Sequence, residues 1–205
     1  MALFRPVLWL KKEISFYKLM GCGKNGTFDI RPDWRQWAVL VNMPKEQLNL
    51  TGETSQIIKT VSGFMNKWYR FFNCKVWTIV LEPIEGHGVW DGKNVFGILP
   101  KQSVHEGLIA VLTRATIRLA RQKNFWKHVQ AVADKMFAAP GFITSVGIGE
   151  VPWIKQATFS IWESKESMKA FAYKMTEHKE VIKKTKEEKW YSEDMFIRFK
   201  VIASY

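Results

Sequence analysis

The segment LTRATIR at residues 112–118 alternates in polarity and is rich in β-branched residues, so it predicts a strand in this chain of 205 residues. Apolar residues at helical spacing follow it and stop at Pro140-Gly141, which predicts an amphipathic helix. The remaining pattern predicts strands at 142–149 and 156–162, a long helix at 165–189 and a strand at 195–203. The order β-α-β-β-α-β is ferredoxin-like, with two helices covering one face of a four-stranded antiparallel sheet.

The first half of the chain repeats this pattern in a shorter form. Residues 16–23 (FYKLMGCG) and 37–42 (WAVLVN) parallel 142–149 and 157–162, and a helix at 57–72 and a strand at 76–83 follow. Only a helix remnant at 3–12 precedes them, so the opening strand is absent from this repeat.

These patterns predict an α+β chain of two tandem ferredoxin-like (βαββαβ) repeats, the first N-terminally shortened. The repeats span 1–84 and 108–205, with a linker at 85–107. Because each sheet leaves one face without helices, the two sheets are expected to face each other in one compact unit, a dimeric-α+β-barrel-type fold. Barrels of this type enclose apolar pockets suited to large ligands.

Composition narrows the classes of function. The formal net charge is +12, but the lysines are scattered and no recognition motif accompanies them, so nucleic acid is not expected as a partner. An acidic protein or anionic lipid headgroups would suit this charge equally well. The apolar runs are too short for a transmembrane helix, and no signal peptide is expected. Cys22 and Cys74 show no metal-type spacing and suit a reduced cytoplasm, and a disulfide between them stays open.

His178 is the polar residue that stands out in the long predicted helix. Phe171, Met175, His178, Ile182 and Thr185 follow one another at steps of four, three, four and three, so they share the face that the helix buries. A histidine on that face needs a partner for each ring nitrogen. Periodicity leaves two interpretations open: a core histidine bonded to a backbone carbonyl, or a ligand of iron or zinc.

Arg114 lies in a predicted strand of otherwise small or apolar residues. An arginine that faced the inside of a barrel would have to meet an anion, such as a carboxylate, a propionate or a substrate. Thr116 and Arg118 lie on the same side of the strand. The alternative is an arginine on an edge strand that reaches solvent.

Two Gly-x-Gly segments, Gly21-Cys-Gly23 and Gly147-Ile-Gly149, neither open a helix nor complete a dinucleotide-binding motif. They are therefore predicted to be turns between strands. No serine or cysteine nucleophile motif is present, and no pair of histidines has zinc spacing.

Blocks along nearly the whole chain carry a family resemblance. In the second half they are 112–118 (LTRATIR), 147–150 (GIGE), 156–162 (QATFSIW), 171–185 (FAYKMTEHKEVIKKT) and 190–199 (WYSEDMFIRF). In the first half they are FYKLMGCG, RPDWRQWAVL and VWTIVLEP. In this order the blocks resemble the spheroidene monooxygenase family of bacterial carotenoid ketolases. That family begins with a further strand and a longer helix, which agrees with a shortened first repeat here.

The resemblance implies a haem-dependent monooxygenase that hydroxylates or ketolates an acyclic carotenoid or a similar long apolar substrate, with electrons from a ferredoxin-type donor. His178 then becomes the expected iron ligand, since haem-binding barrels of this kind commonly ligate the iron from a helix histidine. Phe171, Met175 and Ile182 would face the porphyrin. Arg114 or Arg118 would meet a propionate or bound oxygen, and Arg114 is the expected catalytic residue.

The expected location is the cytoplasm, with peripheral contact at the inner face of the membrane, and the oligomeric state stays open. Two other functions also stay open. One is a haem enzyme of another reaction type, such as a dehydratase, because a shared fold does not fix chemistry. The other is a non-enzymatic barrel protein that binds haem or another apolar ligand.

Overall fold

The computed structural model describes residues 1–24, 31–48, 52–174, 185 and 187–205. Along these residues the chain alternates helices and strands in a mixed α+β fold. The elements are α1 (Phe4–Trp9), β1 (Phe16–Gly23), β2 (Pro32–Asn42), α2 (Thr54–Val61), α3 (Gly63–Phe71), β3 (Ile79–Gly88), β4 (Ile109–Ile117), α4 (Gln122–Phe137), β5 (Phe142–Val151), β6 (Lys155–Trp162), α5 (Lys165–Lys174) and β7 (Tyr191–Ser204).

The described strands form one antiparallel sheet in the order β2-β1-β5-β6-β4-β7-β3. Strands β4 to β7 follow the ferredoxin-like order, in which the first strand lies between the last and the third, and the second lies outside the third. The first repeat joins the second on both sides, because β1 pairs with β5 and β3 pairs with β7. The predicted ferredoxin-like organisation of an α+β chain is therefore confirmed.

The outer strands of the sheet, β2 and β3, both belong to the first repeat. In a ferredoxin-like repeat the opening strand would lie between these two. Within the described part of the chain no strand takes that position, so the first repeat is shortened as predicted. The predicted boundary at residues 84 and 85 remains untested, although β3 continues past it to Gly88.

The helix-free face of the sheet curls around one apolar cluster that receives side chains from every described strand. Leu40 of β2 and Leu81 of β3 both contribute, although their strands lie at opposite ends of the sheet order. An open flat sheet could not bring them together, so the sheet forms an incomplete barrel. Along β4, Leu112 points inside, whereas Val111 points outside toward the helices of the second repeat.

The segment between β3 and β4 helps to fill the barrel. Trp90 is fully buried in the inner cluster, and Val95, Phe96 and Leu99 pack against the same cluster. Much of the predicted linker therefore belongs to the core, and burial of these side chains fixes its path.

The helices cover the outer face of the sheet. Met136 of α4 and Phe171 of α5 pack with Trp162 in one outer cluster, and α1, α2 and α3 form another over the first repeat. Among the described residues, none of the helices has the length and hydropathy needed to cross a bilayer.

Two local predictions were wrong. The Gly-x-Gly segments are not turns: they lie within β1 and β5 and pair with each other, Gly21 opposite Gly149. A Cβ at Gly149 would lie only 2.9 Å from the side chain of Gln156, so a glycine there permits a close approach rather than a turn. The predicted helix at 57–72 is two helices, because the Ser62 hydroxyl accepts a hydrogen bond from the Met65 N–H and caps α3.

Candidate functional site

Arg114 is the centre of a charged cluster at one end of the barrel. Strand alternation points its side chain to the inside of the barrel, and only 1% of it is exposed. Its guanidinium forms ion pairs with Glu193 of β7, with Asp91 at 3.0 Å and with Glu150 of β5 at 3.5 Å. The anion that a buried arginine requires is thus supplied by the protein's own carboxylates.

Two lysines complete what we call the Arg114 cluster. Lys18 of β1 pairs with Asp91 and Glu150, and Lys155 of β6 pairs with Asp91 at 2.6 Å. Three cations therefore face three carboxylates from five strands and the turn after β3. Their formal charges cancel, which is what permits such a group to lie at the mouth of an apolar barrel.

The turn after β3 is fastened to this cluster through its backbone and through Trp90. Glu193 accepts hydrogen bonds from the backbone N–H groups of Asp91 (2.9 Å) and Gly92 (2.7 Å). The Trp90 indole N–H donates to Glu150 at 2.7 Å, and the Arg114 guanidinium carbon lies 5.3 Å from the centre of the indole ring. The cluster therefore holds Trp90 in place across the end of the barrel.

Two carboxylates of the cluster, Asp91 and Glu193, are held ionised. Burial alone would raise the pKa of Asp91, but hydrogen bonds from Lys155 and Lys18 outweigh it and lower that pKa to about 2. Burial alone would also raise the pKa of Glu193. Hydrogen bonds from the backbone N–H groups of Gly92 and Asp91, and from Arg114, outweigh burial and lower that pKa below its ordinary value. Neither carboxylate is protonated near neutral pH, so neither is poised as a general acid.

The Lys18 ammonium is held charged by the same contacts. Burial alone would lower the pKa of Lys18, but the hydrogen bonds to Asp91 and Glu150 outweigh burial, so the pKa is raised above its ordinary value. The cluster is therefore a fixed array of charges suited to orienting a dipole or a developing charge. Among the described residues, the Arg114 Nε–H has no hydrogen-bond partner, so one donor of the guanidinium is left over.

A second charged group, centred on Glu85, lies on the outer face of the sheet. It binds the segment between β3 and β4 near the end that leads into β4. Glu85 is fully buried and pairs with Lys165 of α5 at 2.7 Å and with Arg198 of β7. It also accepts a hydrogen bond from the Ser103 backbone N–H at 2.6 Å. Burial alone would raise the Glu85 pKa, but the lysine, serine and arginine contacts lower it to about 2.

The residues predicted to hold a porphyrin are not brought together in the described part of the chain. His178, Met175 and Ile182 lie outside the described residues. Phe171 packs on the outer face, with its ring 5.3 Å from that of Trp162, while Arg114 points to the inside.

Arg118 lies beyond the end of β4, is exposed, and donates its Nε–H to the Tyr191 carbonyl at 3.2 Å. With Phe171 on one face of the sheet and Arg114 on the other, the described residues do not form a haem slot.

The histidines within the described residues have ordinary surroundings. The His128 ring lies 5.6 Å from that of Trp190 and its Nδ1 is 2.8 Å from the Asn124 carbonyl oxygen. The His105 Nε2 is 3.1 Å from the Leu108 carbonyl oxygen, and His87 stacks on Phe196. Within the described ranges, no group of three or more histidine, cysteine or acidic side chains could hold a metal ion.

A shallow cleft of about 70 Å³ opens beside the seam where the two repeats join. Gly21, Cys22 and Gly149 form its floor, and Trp126 and Trp153 line it. Burial raises the pKa of the Cys22 thiol to about 11, so this cysteine is an apolar wall rather than a nucleophile. The cleft is far smaller than a pocket for a large organic ligand.

Sequence reasoning identified Arg114 but missed its carboxylate partners. Asp91 lies in the predicted linker, and Glu150 and Glu193 are about forty residues apart along the chain. No spacing rule connects them, because antiparallel pairing of distant strands brings them together. The one available signal was that Glu150 and Glu193 lie in the GIGE and WYSEDMFIRF blocks.

The chain is similar to curated proteins named spheroidene monooxygenase. It is 32% identical over 210 residues to the protein of Rhodobacter capsulatus, a match that covers 100% of this chain and 82% of the relative. The match to the Cereibacter sphaeroides protein is 31% identical over 194 residues and covers 94% of this chain. The chain spans only 57% of the length of that second relative. No protein-family model matches the chain.

Solved structures are more distant. A candidate monooxygenase from Lactobacillus acidophilus is 14% identical, with a TM-score of 0.46, over 92% of this chain and 78% of that one. An anthrone oxidase-like protein is 10% identical, with a TM-score of 0.38, over 100% of this chain and 85% of that one. Likenesses at this level bear on neither the fold nor the chemistry of this chain.

Proposed function

The chain belongs to the spheroidene monooxygenase family, and from this we propose that it is a monooxygenase acting on an acyclic carotenoid or a similar long apolar molecule. The observation that carries the proposal is the 32% identity with a relative of that name, over the whole of this chain and 82% of the relative. The reaction would hydroxylate or ketolate the substrate. In a hydroxylation, one atom of dioxygen enters a C–H bond, and two electrons and two protons reduce the other atom to water.

The apolar lining of the barrel favours an apolar substrate over a charged one. In this structure the inner cluster and the segment between β3 and β4 fill the interior, so a bound hydrocarbon chain would have to displace part of that segment. The wall of the barrel is built from apolar side chains of every described strand, and the one buried cation that faces it, Arg114, is neutralised by carboxylates. A long hydrocarbon would meet no unpaired charge on this wall. The Arg114 cluster would lie at the end of the bound chain, where Trp90 and the leftover Nε–H could orient the carbon to be oxidised.

Haem is the cofactor that we propose, with His178 as the iron ligand, and it would supply the dioxygen chemistry. Support comes from the family resemblance and from the helical spacing around His178. The described residues do not form a slot for the haem. A ferredoxin-type protein is proposed as the electron donor, since the net charge of +12 suits an acidic partner. A cytoplasmic location suits the two free cysteines.

Labelled dioxygen tests the proposed reaction. The purified protein is incubated with a lycopene-type substrate, a reduced ferredoxin and labelled dioxygen, and the products are analysed by mass spectrometry. We expect one labelled oxygen atom in each hydroxyl group formed. A ketone arises from two hydroxylations at one carbon with loss of one water, and it should retain one label when it is trapped by reduction before it exchanges with water. A hydroxylated product that carries unlabelled oxygen, or no product in the presence of a bound cofactor, would reject the monooxygenase.

Optical spectroscopy tests the cofactor separately. After reconstitution with haem, the protein should show a Soret band, and His178→Ala should weaken haem binding at least about tenfold. The matched control is His128→Ala, because His128 lies in α4 and contacts Trp190 and Asn124. No Soret band in the native protein would reject haem. An equal loss of haem in both variants would reject His178 as the ligand.

A further inference from the structure

Four aromatic side chains contact one another along α3 and its end; Phe64, Phe71 and Phe72 are exposed, and Trp68 is half-buried between them. Neighbouring ring centres are 6.1 Å apart for Phe64 and Trp68, 4.6 Å for Trp68 and Phe72, and 5.0 Å for Phe72 and Phe71. Phe71 is 82% exposed and Phe72 is 55% exposed. We call these four residues the aromatic ridge. Isolated apolar side chains are common on protein surfaces, but contiguous ones mark an interaction site.

Only part of the ridge points away from the core. Phe4 of α1 lies edge-on to both Phe64 and Trp68, whereas Phe71 is 82% exposed. Met65 and Tyr69, on the other side of α3, pack in the cluster that holds Phe4 of α1 against the outer face of the sheet. Phe64 and Phe71 are seven residues apart and so share one stripe, which points to solvent. Helix α3 therefore buries Met65 and part of Trp68, and it leaves Phe64 and Phe71, with Phe72 at its end, exposed.

The charged residues in the stretch of chain that carries the ridge all have one sign. Between Glu53 and Glu82 the sequence contains no acidic residue, and its charged residues there are Lys59, Lys67, Arg70 and Lys75. Lys67, Arg70 and Lys75 are exposed, within the same stretch of chain as the exposed rings. Exposed aromatic rings beside exposed cations are complementary to a partner that offers an apolar layer beneath negatively charged groups.

We propose that the aromatic ridge inserts into an anionic lipid bilayer and docks the protein at the membrane surface. The rings would enter the boundary between headgroups and acyl chains, and Lys67, Arg70 and Lys75 would contact lipid phosphates. An acidic protein would satisfy the cations but would not need four adjacent rings, so the bilayer is the better match. The inference rests on this surface alone, although docking would also bring the proposed substrate, which dissolves in membranes, to the protein.

Vesicle flotation of the full chain tests the proposal without turnover. The wild-type protein should float with vesicles that contain phosphatidylglycerol and bind vesicles of phosphatidylcholine alone at least about tenfold more weakly. Phe71→Ser/Phe72→Ser should weaken binding to the anionic vesicles about tenfold or more, because two rings leave the bilayer. The triple change Lys67→Gln/Arg70→Gln/Lys75→Gln should remove most of the preference for phosphatidylglycerol.

The matched control carries Ile98→Ser and Val104→Ser. These side chains are 97% and 100% exposed but lie in the segment between β3 and β4, away from the ridge in sequence, and binding should not change. Thermal unfolding checks that every variant is folded, which is expected because the ridge residues changed are exposed.

Three results would overturn the proposal. In the first, the wild type fails to bind anionic vesicles. In the second, the ridge and control variants bind equally well. In the third, size-exclusion chromatography shows a dimer that Phe71→Ser/Phe72→Ser dissolves, so that a second copy covers the ridge. Because oxygenation of a detergent-dispersed substrate does not require docking, failure of this proposal and failure of the proposed function give different results.

Discussion

Replacing Arg114 with methionine should lower the free energy of unfolding by about 2–4 kcal/mol. Removing one partner of a fully buried ion pair costs about 3–5 kcal/mol, because the other charge stays buried and uncompensated. Here Asp91 and Glu193 retain some contact with water, and Lys18 and Lys155 still face Asp91, so the loss should be smaller. Methionine fills most of the space of the arginine stem, which keeps the contribution of a cavity small.

Arg118→Met is the matched control for this measurement. Arg118 is exposed and its Nε–H donates to a backbone carbonyl, so its loss should change stability by less than about 0.5 kcal/mol. Urea unfolding, followed by tryptophan fluorescence and circular dichroism, measures both variants. Adding Glu193→Gln to Arg114→Met should recover part of the loss, because one uncompensated carboxylate is then neutral. Equal midpoints for the two single variants would refute the view that the Arg114 cluster holds the barrel end together.

The same position tests the proposed catalytic role of Arg114. Arg114→Lys keeps the positive charge but not the planar fork that reaches two carboxylates. If the guanidinium orients the substrate, oxygenation should fall about tenfold or more while the protein stays folded. Unchanged turnover in a folded Arg114→Lys variant would show that the cluster is structural only.

The remaining predictions concern acid stability, the seam between the repeats and the cysteines. Because the Glu85 pKa is lowered from 4.5 to about 2, its ion pairs contribute stability above about pH 4.5. That contribution, about 3 kcal/mol, should be lost as pH falls toward 2, and unfolding of Glu85→Gln should lack this pH dependence. Gly149→Ala should destabilise the protein by about 1–3 kcal/mol, because its Cβ would lie 3.1 Å from the Lys155 backbone carbonyl oxygen in the paired strand and would also displace the Gln156 amide. Gly21→Ala, with no atom within 4 Å of its Cβ, should be nearly neutral in the same urea titration. Iodoacetamide at pH 8 should label the exposed Cys74 and spare the buried Cys22, whose pKa is about 11, as mass spectrometry would show. Rapid labelling of Cys22 in the folded protein would contradict its place in the inner cluster.

The local sequence pattern was enough to predict most of the helices and strands. Alternation predicted β4 and β6 to within a few residues of Ile109–Ile117 and Lys155–Trp162, since the side-chain period of a strand is visible in the sequence. Comparison of the two halves predicted the shortened repeat, because each half carries its own copy of the strand pattern. The Gly-x-Gly segments failed for the opposite reason. A glycine that permits a turn and one that permits a neighbouring strand to approach look the same until the partner strand is known.

The amino-acid sequence by itself determined the order of most helices and strands and the family of the chain, because each is visible in short blocks of neighbouring residues. It left open whether Arg114 faces the inside of the barrel or solvent. Tertiary structure alone decided what Arg114 meets. Asp91, Glu150 and Glu193 reach it from a turn and two strands that only antiparallel pairing brings together. Tertiary structure also left much of the aromatic ridge exposed, because Met65 and part of Trp68 suffice to pack α3 against α1 and the sheet. Burial depends on which surfaces meet, and periodicity along one helix cannot say which of its apolar residues will find a partner.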